Sequence, residues 1–144
     1  MATIERTIEV ETSAEKLYEV VSDIERYPSF LTWCDSSKIL SIKDNLVTAS
    51  LSLSVLGFQS TIVTLNRLYR PTTIEMILKK GPFKSFKGIW LFEEIALRKT
   101  RVSYSMKYQI VNPITDLIVK QKLSSFIDQF LGEFDKKFKE EMTN

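Results

Sequence analysis

The sequence predicts an α+β fold: a curved antiparallel sheet of about seven strands wrapped around a long C-terminal helix, with two short helices after the first strand. Three observations carry this expectation. Val47, Ala49, Leu51, Leu53 and Val55 alternate with Thr48, Ser50, Ser52 and Ser54, the period of a strand with one dry face. Successive strand-like runs are joined by short polar turns, whereas parallel neighbours need a crossover of roughly a dozen residues. After Asn112-Pro113, apolar residues recur mostly at three- and four-residue steps as far as Met142, which is the pattern of a single amphipathic helix.

Taken in order, Ile4, Ile8 and Val10 alternate with Thr3, Glu5, Thr7 and Glu9 in a half-buried first strand. Thr12 is expected to cap a helix, with Glu15 returning the bond, and Leu17, Tyr18, Val20, Val21 and Ile24 to form its buried side. Pro28 ends this helical region, because a residue before proline is pushed out of the helical basin. The connection Tyr27-Pro28-Ser29-Phe30-Leu31-Thr32-Trp33-Cys34 is too apolar for a merely solvated loop. Further strands are expected over 38–42, 47–55, 59–69, 73–78, around Trp90, and over 102–110, with Gly57, Arg70-Pro71 and Arg98-Lys99 as turn signals. Asn112 then caps the long helix, with Pro113 in its first turn where the missing N–H is harmless. Its apolar stripe runs through Ile114, Leu117, Ile118, Leu123, Phe126, Ile127, Phe130, Leu131, Phe134, Phe138 and Met142. Gly132 within it marks a bend, a space beside a ligand, or simple tolerance.

Composition narrows the function. With 144 residues, of which 44% are hydrophobic, residues 1–144 suit a single domain with a substantial core. There are 0 histidines and 1 cysteine, so histidine general-base chemistry, Cys-His nucleophiles and the common zinc sites are excluded. The doublets Glu93-Glu94 and Glu140-Glu141 send neighbouring carboxylates in different directions and read as solvated surface. No glycine-rich phosphate loop, nucleophile elbow or calcium loop occurs, and no catalytic residue, metal or cofactor is expected. The longest apolar run, Ile89 to Phe92, is far below the roughly 20 residues of a membrane span. Together with an N-terminus that lacks a leader-like apolar stretch, this predicts a soluble, cytoplasmic protein. Cys34 has no internal partner and is expected to be packed. A net charge of +2 is too small for a dedicated nucleic-acid binder, and no DNA partner is expected.

The segment Lys80-Gly81-Pro82-Phe83-Lys84-Ser85-Phe86-Lys87-Gly88-Ile89-Trp90-Leu91-Phe92 combines a turn, an apolar strand face and cations without an acid. Lys79, Lys80, Lys84 and Lys87 are expected to form a local basic rim, read either as solvated lysines or as contacts to anionic headgroups or RNA phosphates. Phe86, Gly88, Trp90 and Phe92 share a strand face. Gly88 there relieves crowding at a sheet bend or leaves room for a ligand.

This element order resembles the helix-grip arrangement of the START-like superfamily. The aromatic loop 27–34 together with the motif 81–92 is similar to the coenzyme Q-binding protein and RatA family, over essentially the whole chain. The resemblance implies a non-enzymatic carrier of a lipophilic isoprenoid such as ubiquinone, supporting respiration and touching the membrane peripherally. As the alternative, it implies a RatA-like role in which the protein associates with the ribosomal large subunit and blocks subunit joining. The superfamily also includes polyketide cyclases and aromatases. Family members usually carry proline where this chain has Thr32, which predicts a less constrained entrance loop. For the carrier reading, Phe30, Leu31 and Trp33 form the mouth. Leu51, Leu53, Met76, Phe86, Gly88, Trp90, Tyr104 and Met106 form the sheet wall, and Leu123, Ile127, Phe130 and Leu131 the lid. Plain core packing would place the same side chains there. Tyr104 and Tyr108 add hydroxyls able to meet a ligand carbonyl.

Overall fold

The computed structural model describes residues 2–55, 58–110 and 116–142. Strand β1 (Ala2–Val10) is followed by helix α1 (Ala14–Ser22) and a 3-10 segment (Ile24–Ser29). Six strands come next: β2 (Cys34–Lys43), β3 (Leu46–Val55), β4 (Phe58–Tyr69), β5 (Thr73–Lys80), β6 (Ser85–Ala96) and β7 (Lys99–Gln109). Helix α2 (Asp116–Met142) ends the described chain. The strands form one sheet in the order β1-β7-β6-β5-β4-β3-β2, antiparallel at every pairing. The meander of β2 to β7 follows from the short turns, and β1 closes on the far side of β7. Asn112-Pro113 and Gly57, expected at a helix cap and a turn, lie outside the described residues.

Sequence patterning fixes which face is dry. In β7 the side chains of Val102, Tyr104, Met106 and Tyr108 are buried, with exposed or half-exposed residues between them. Across the ladder, Gly88 pairs with Met106 and Trp90 with Tyr104, so two apolar rows face the same way. At about 1.5 Å per residue, the 27 residues of α2 span roughly 40 Å, enough to cross the curved sheet. Its residues Phe134 and Phe138 are 1% and 0% exposed, each worth roughly 1.5–3 kcal/mol of burial. Polar clamps hold the helix from opposite sides. From β1, Arg6 reaches Asp128 at 2.6 Å and Ser124 at 2.7 Å. From the aromatic loop, the Thr32 N–H and hydroxyl both donate to Glu133, at 2.5 and 2.8 Å.

The start of α1 corrects the expectation. Ser13, not Thr12, is the cap: its hydroxyl accepts from the Lys16 N–H at 3.4 Å. Thr12 is buried and its carbonyl accepts from the Thr100 hydroxyl at 2.7 Å, tying the helix entry to β7. Glu15 turns outward to Arg70 at 3.1 Å, and Glu94 accepts from the Ala14 N–H at 3.1 Å. Half of one acidic doublet thus supports an orphan donor of the first turn. Pro28 sits inside the 3-10 segment, which ends one residue later. Strand β2 begins at Cys34, earlier than its polar sequence suggested, because bulges near Cys34 and Ile39 let it follow β3.

Candidate ligand cavity

The wedge between α2 and the sheet has a solid end and a hollow end. At the solid end Trp90, 1% exposed, stacks on Phe92 with ring centroids 6.1 Å apart and packs against Phe134 at 5.0 Å. Tyr18 of α1 meets Phe92 edge-on at 5.9 Å. Trp90 also contacts Tyr104 at 5.0 Å and Phe130 at 5.5 Å, and those two rings lie 5.0 Å apart. Tyr104 and Phe130, backed by Trp90, are the floor of a cavity of about 480 Å³, within the roughly 300–1,000 Å³ typical of small-molecule sites.

Of the expected residues, the structure brings Trp33, Leu51, Leu53, Met76, Phe86, Tyr104, Met106, Leu123, Ile127 and Phe130 together around this space. The other five are placed elsewhere. Phe30 packs edge-on against Tyr27 at 6.1 Å and Phe134 at 5.4 Å, sealing the loop to α2, and Leu31 is 1% exposed within the core. Trp90 lies beneath the floor, and Leu131 is core. Gly88 serves a close approach: a Cβ there would come within 2.9 Å of the Tyr104 hydroxyl. The missing side chain therefore makes room for a neighbouring tyrosine that itself lines the cavity.

Sequence reasoning missed Gln59, Ser60 and Ile62 on β4, Leu78 on β5, Pro82 and Phe83 of the turn, Ile110 and Phe126. The signal for Ile62 and Leu78 was present, since each shares a face with a neighbour two residues away. Phe83 was hidden because a turn residue has no periodicity. Its ring stands 6.1 Å from Phe86 and 6.0 Å from Tyr108, folding the turn over one end of the cavity. Tyr108 is buried and does not line the space.

The four lysines do not share one rim. Lys87 faces the outer side of the sheet and pairs with Glu75 at 3.6 Å, because Phe86 and Gly88 take the inner positions of β6. Lys79 is likewise placed outward by inward-facing Met76 and Leu78. Lys80 ends β5, and Lys84, anchored through its N–H to the Gln109 carbonyl at 2.9 Å, adjoins Phe83 at the cavity.

The cavity is lined by neutral and mostly apolar side chains. Its polar side chains are Gln59, Ser60, the Tyr104 hydroxyl and the Trp33 indole, and no described carboxylate or cation lines it. Burial pushes the Tyr104 phenol well above the usual tyrosine range, so it stays a neutral hydroxyl. The Trp33 Nε1, in a residue 5% exposed, has no hydrogen-bond acceptor among the described residues. No cluster of three potential metal ligands occurs among the described residues, and no described helix is long and apolar enough to cross a membrane.

The sequence pattern of the polyketide cyclase / dehydrase and lipid transport family matches residues 10–135. The chain belongs to that family. Within it the chain is RatA-like, being 31% identical over 134 residues to the ribosome association toxin RatA of Escherichia coli K12, covering 90% of this chain and 85% of the relative. It is also 27% identical to RatA of Vibrio cholerae across 97% of both chains. A shorter match, 39% over 41 residues, reaches a mitochondrial coenzyme Q-binding protein COQ10 homolog B of Xenopus laevis, covering 28% of this chain and 17% of that one. Among solved structures, a START superfamily protein from Mycobacterium smegmatis superposes with a TM-score of 0.86 at 18% identity, covering 96% of this chain and 97% of that one. The superposition and the family match bear out the helix-grip fold expected above.

Proposed function

We propose that this protein is a non-enzymatic binder of a lipophilic, isoprenoid-tailed molecule of the ubiquinone type. The observation that carries the reading is the 480 Å³ space walled by aliphatic and aromatic side chains, with a neutral tyrosine and, among the described residues, no charged acid or base within it. Each Å² of apolar surface withdrawn from water contributes about 25 cal/mol, so a tail held here needs no charged partner. Cyclase-type chemistry on a polyketone requires acid and base groups poised over the chain, and this lining lacks such a pair among the described residues. The test combines extraction and filling. Protein purified from a quinone-producing host is expected to release quinone or another prenyl lipid into organic solvent. Met76→Trp, which fills the cavity from the middle of β5, is expected to abolish binding of added quinone while leaving the circular dichroism spectrum intact. Repeated empty extracts, together with no uptake of added quinone by the wild type, would overturn the reading.

A second reading is favoured by the full-length similarity to RatA proteins. In it the outer sheet face contacts ribosomal RNA through cations such as Lys79 and Lys107, which have no ion pair among the described residues. Phosphate contacts weaken steeply with salt. Co-sedimentation with ribosomes that is lost in a Lys79→Glu/Lys107→Glu variant supports it; pelleting with liposomes alone supports delivery of a membrane lipid.

A further inference from the structure

Beside the apolar cavity lies a second, more polar cleft of about 430 Å³, lined by Thr32, Trp33, Ser54, Lys122, Ser125, Phe126 and Gln129. Trp33 and Phe126 line both spaces, and their rings meet edge-on with centroids 5.4 Å apart. The pair is a shared wall between a greasy interior and a polar exterior compartment. On α2, Lys122, Ser125, Phe126 and Gln129 fall at the three- and four-residue steps that align one helix face.

The hydrogen-bonding capacity of the cleft is lopsided. Its nearest carboxylates are already engaged: Asp35 accepts from the Ser54 hydroxyl at 2.6 Å, and Glu133 accepts from Thr32 and, at 3.0 Å, from Gln129. The Gln129 amide also donates to the Thr32 hydroxyl at 3.1 Å. The uncommitted groups are mostly donors, with the Gln129 side-chain oxygen and the Ser125 oxygen as the available acceptors. Lys122 has no ion pair and Ser125 no hydrogen bond among the described residues, and the Trp33 N–H is buried without an acceptor. A buried donor left unmade costs about 1–3 kcal/mol, so a small turn of the Trp33 ring that exposes its N–H to a ligand oxygen recovers energy that the free protein forgoes.

We propose that this cleft is the head-group subsite of the cavity, and that it selects amphiphiles whose head presents hydrogen-bond-accepting oxygens, such as the carbonyls of a quinone or the oxygens of a phosphate. The inference rests on the tail-binding reading and narrows its ligand class. The tail lies on the apolar side of the Trp33–Phe126 wall, while the head sits against Lys122, Ser125 and the Trp33 N–H. A hydroxyl head also accepts hydrogen bonds, but through a single uncharged oxygen, so it engages fewer of these donors and is held less tightly.

Three probes with the same ten-carbon tail separate the possibilities: decylubiquinone, decyl phosphate and 1-decanol, titrated calorimetrically against the full chain, Lys122→Met and Trp33→Phe. At least one of the first two is expected to bind about 10-fold more tightly than decanol, equivalent to one or two recovered hydrogen bonds. Lys122→Met should remove much of that margin and leave decanol affinity unchanged, whereas Trp33→Phe, which also alters the tail wall, should weaken the two acceptor-headed probes more than decanol. Preference for decyl phosphate that fades with salt identifies an anionic head, and a salt-independent preference for decylubiquinone identifies a quinone head. Equal binding of all three probes by the wild type overturns the head subsite but not the cavity. So does a loss in Lys122→Met that is shared by decanol. Failure of all three to bind overturns both.

Discussion

Gly88 and Tyr104 set the floor of the cavity by a trade in volume. Because an added Cβ would stand 2.9 Å from the Tyr104 hydroxyl and 3.4 Å from the Phe86 ring, Gly88→Ala must displace a buried phenol. The expected cost is about 1–3 kcal/mol, the usual range for overpacking. Tyr104→Phe removes the clashing oxygen, so the double variant is expected to be less destabilised than the sum of the singles, and urea unfolding of all four proteins measures that coupling. Cys34 illustrates a second consequence of burial at single-residue scale. Its thiol is 3% exposed, and burial, aided by the nearby Asp35 carboxylate, pushes its pKa from 9.0 up to about 11. The folded state therefore holds this proton more tightly than the unfolded chain. The resulting stability is complete below pH 9 and is lost as the pH rises from 9 towards 11. A thiol reagent such as DTNB is expected to react with native protein at pH 8 far more slowly than with protein in guanidinium.

At the scale of elements, the two clamps on α2 make different demands on sequence. The Arg6 clamp is a charge pair that any long cation could approximate, whereas the loop clamp uses the Thr32 backbone N–H. A proline at this place, as the resemblance led one to expect, would have no N–H to give. What looked in the sequence like a loosened entrance is an alternative constraint, with ring rigidity exchanged for two hydrogen bonds to Glu133. Gly132, one position away from that carboxylate, is exposed and its absent Cβ would meet nothing within 4 Å. It leaves no room beside a ligand, since it faces away from the sheet. Gly132→Ala is accordingly expected to stabilise the protein by about 0.5–1 kcal/mol through helix propensity alone, read as a higher urea midpoint with unchanged slope. The strands and α2 were legible in the chain because alternation and helical spacing report directly on which face is dry. Cap identity was not, because Thr12 and Ser13 are both competent caps and only the Thr100 bond decides between them.

For the molecule as a whole, the carrier reading requires the same wedge to be solid enough to fold and hollow enough to admit a guest. The sequence could show that β3, β5, β7 and α2 contribute apolar faces to one interior. It could not show where filling stops, because Trp90 and Met106 look alike in a periodic pattern, and their fates depend on how far α2 stands from each strand. Trp90, Phe92, Phe134 and Phe138 fill the end near α1, while at the other end rings such as Trp33, Phe86 and Phe130 stand around the slimmer Leu51, Leu53, Met76 and Met106 and leave a space open. A protein built this way forgoes packing at the hollow end and regains it on binding. Occupancy by a quinone at 100 times its Kd should then stabilise the native state by about 2.7 kcal/mol through mass action. For a chain near this size, each kcal/mol raises Tm by roughly 2–6 °C, so differential scanning fluorimetry should register a shift of about 10 °C with decylubiquinone. Met76→Trp should show the opposite profile, a Tm that no longer responds to ligand. A wild-type Tm indifferent to every apolar ligand tried would mean that the hollow end is a packing defect with no guest.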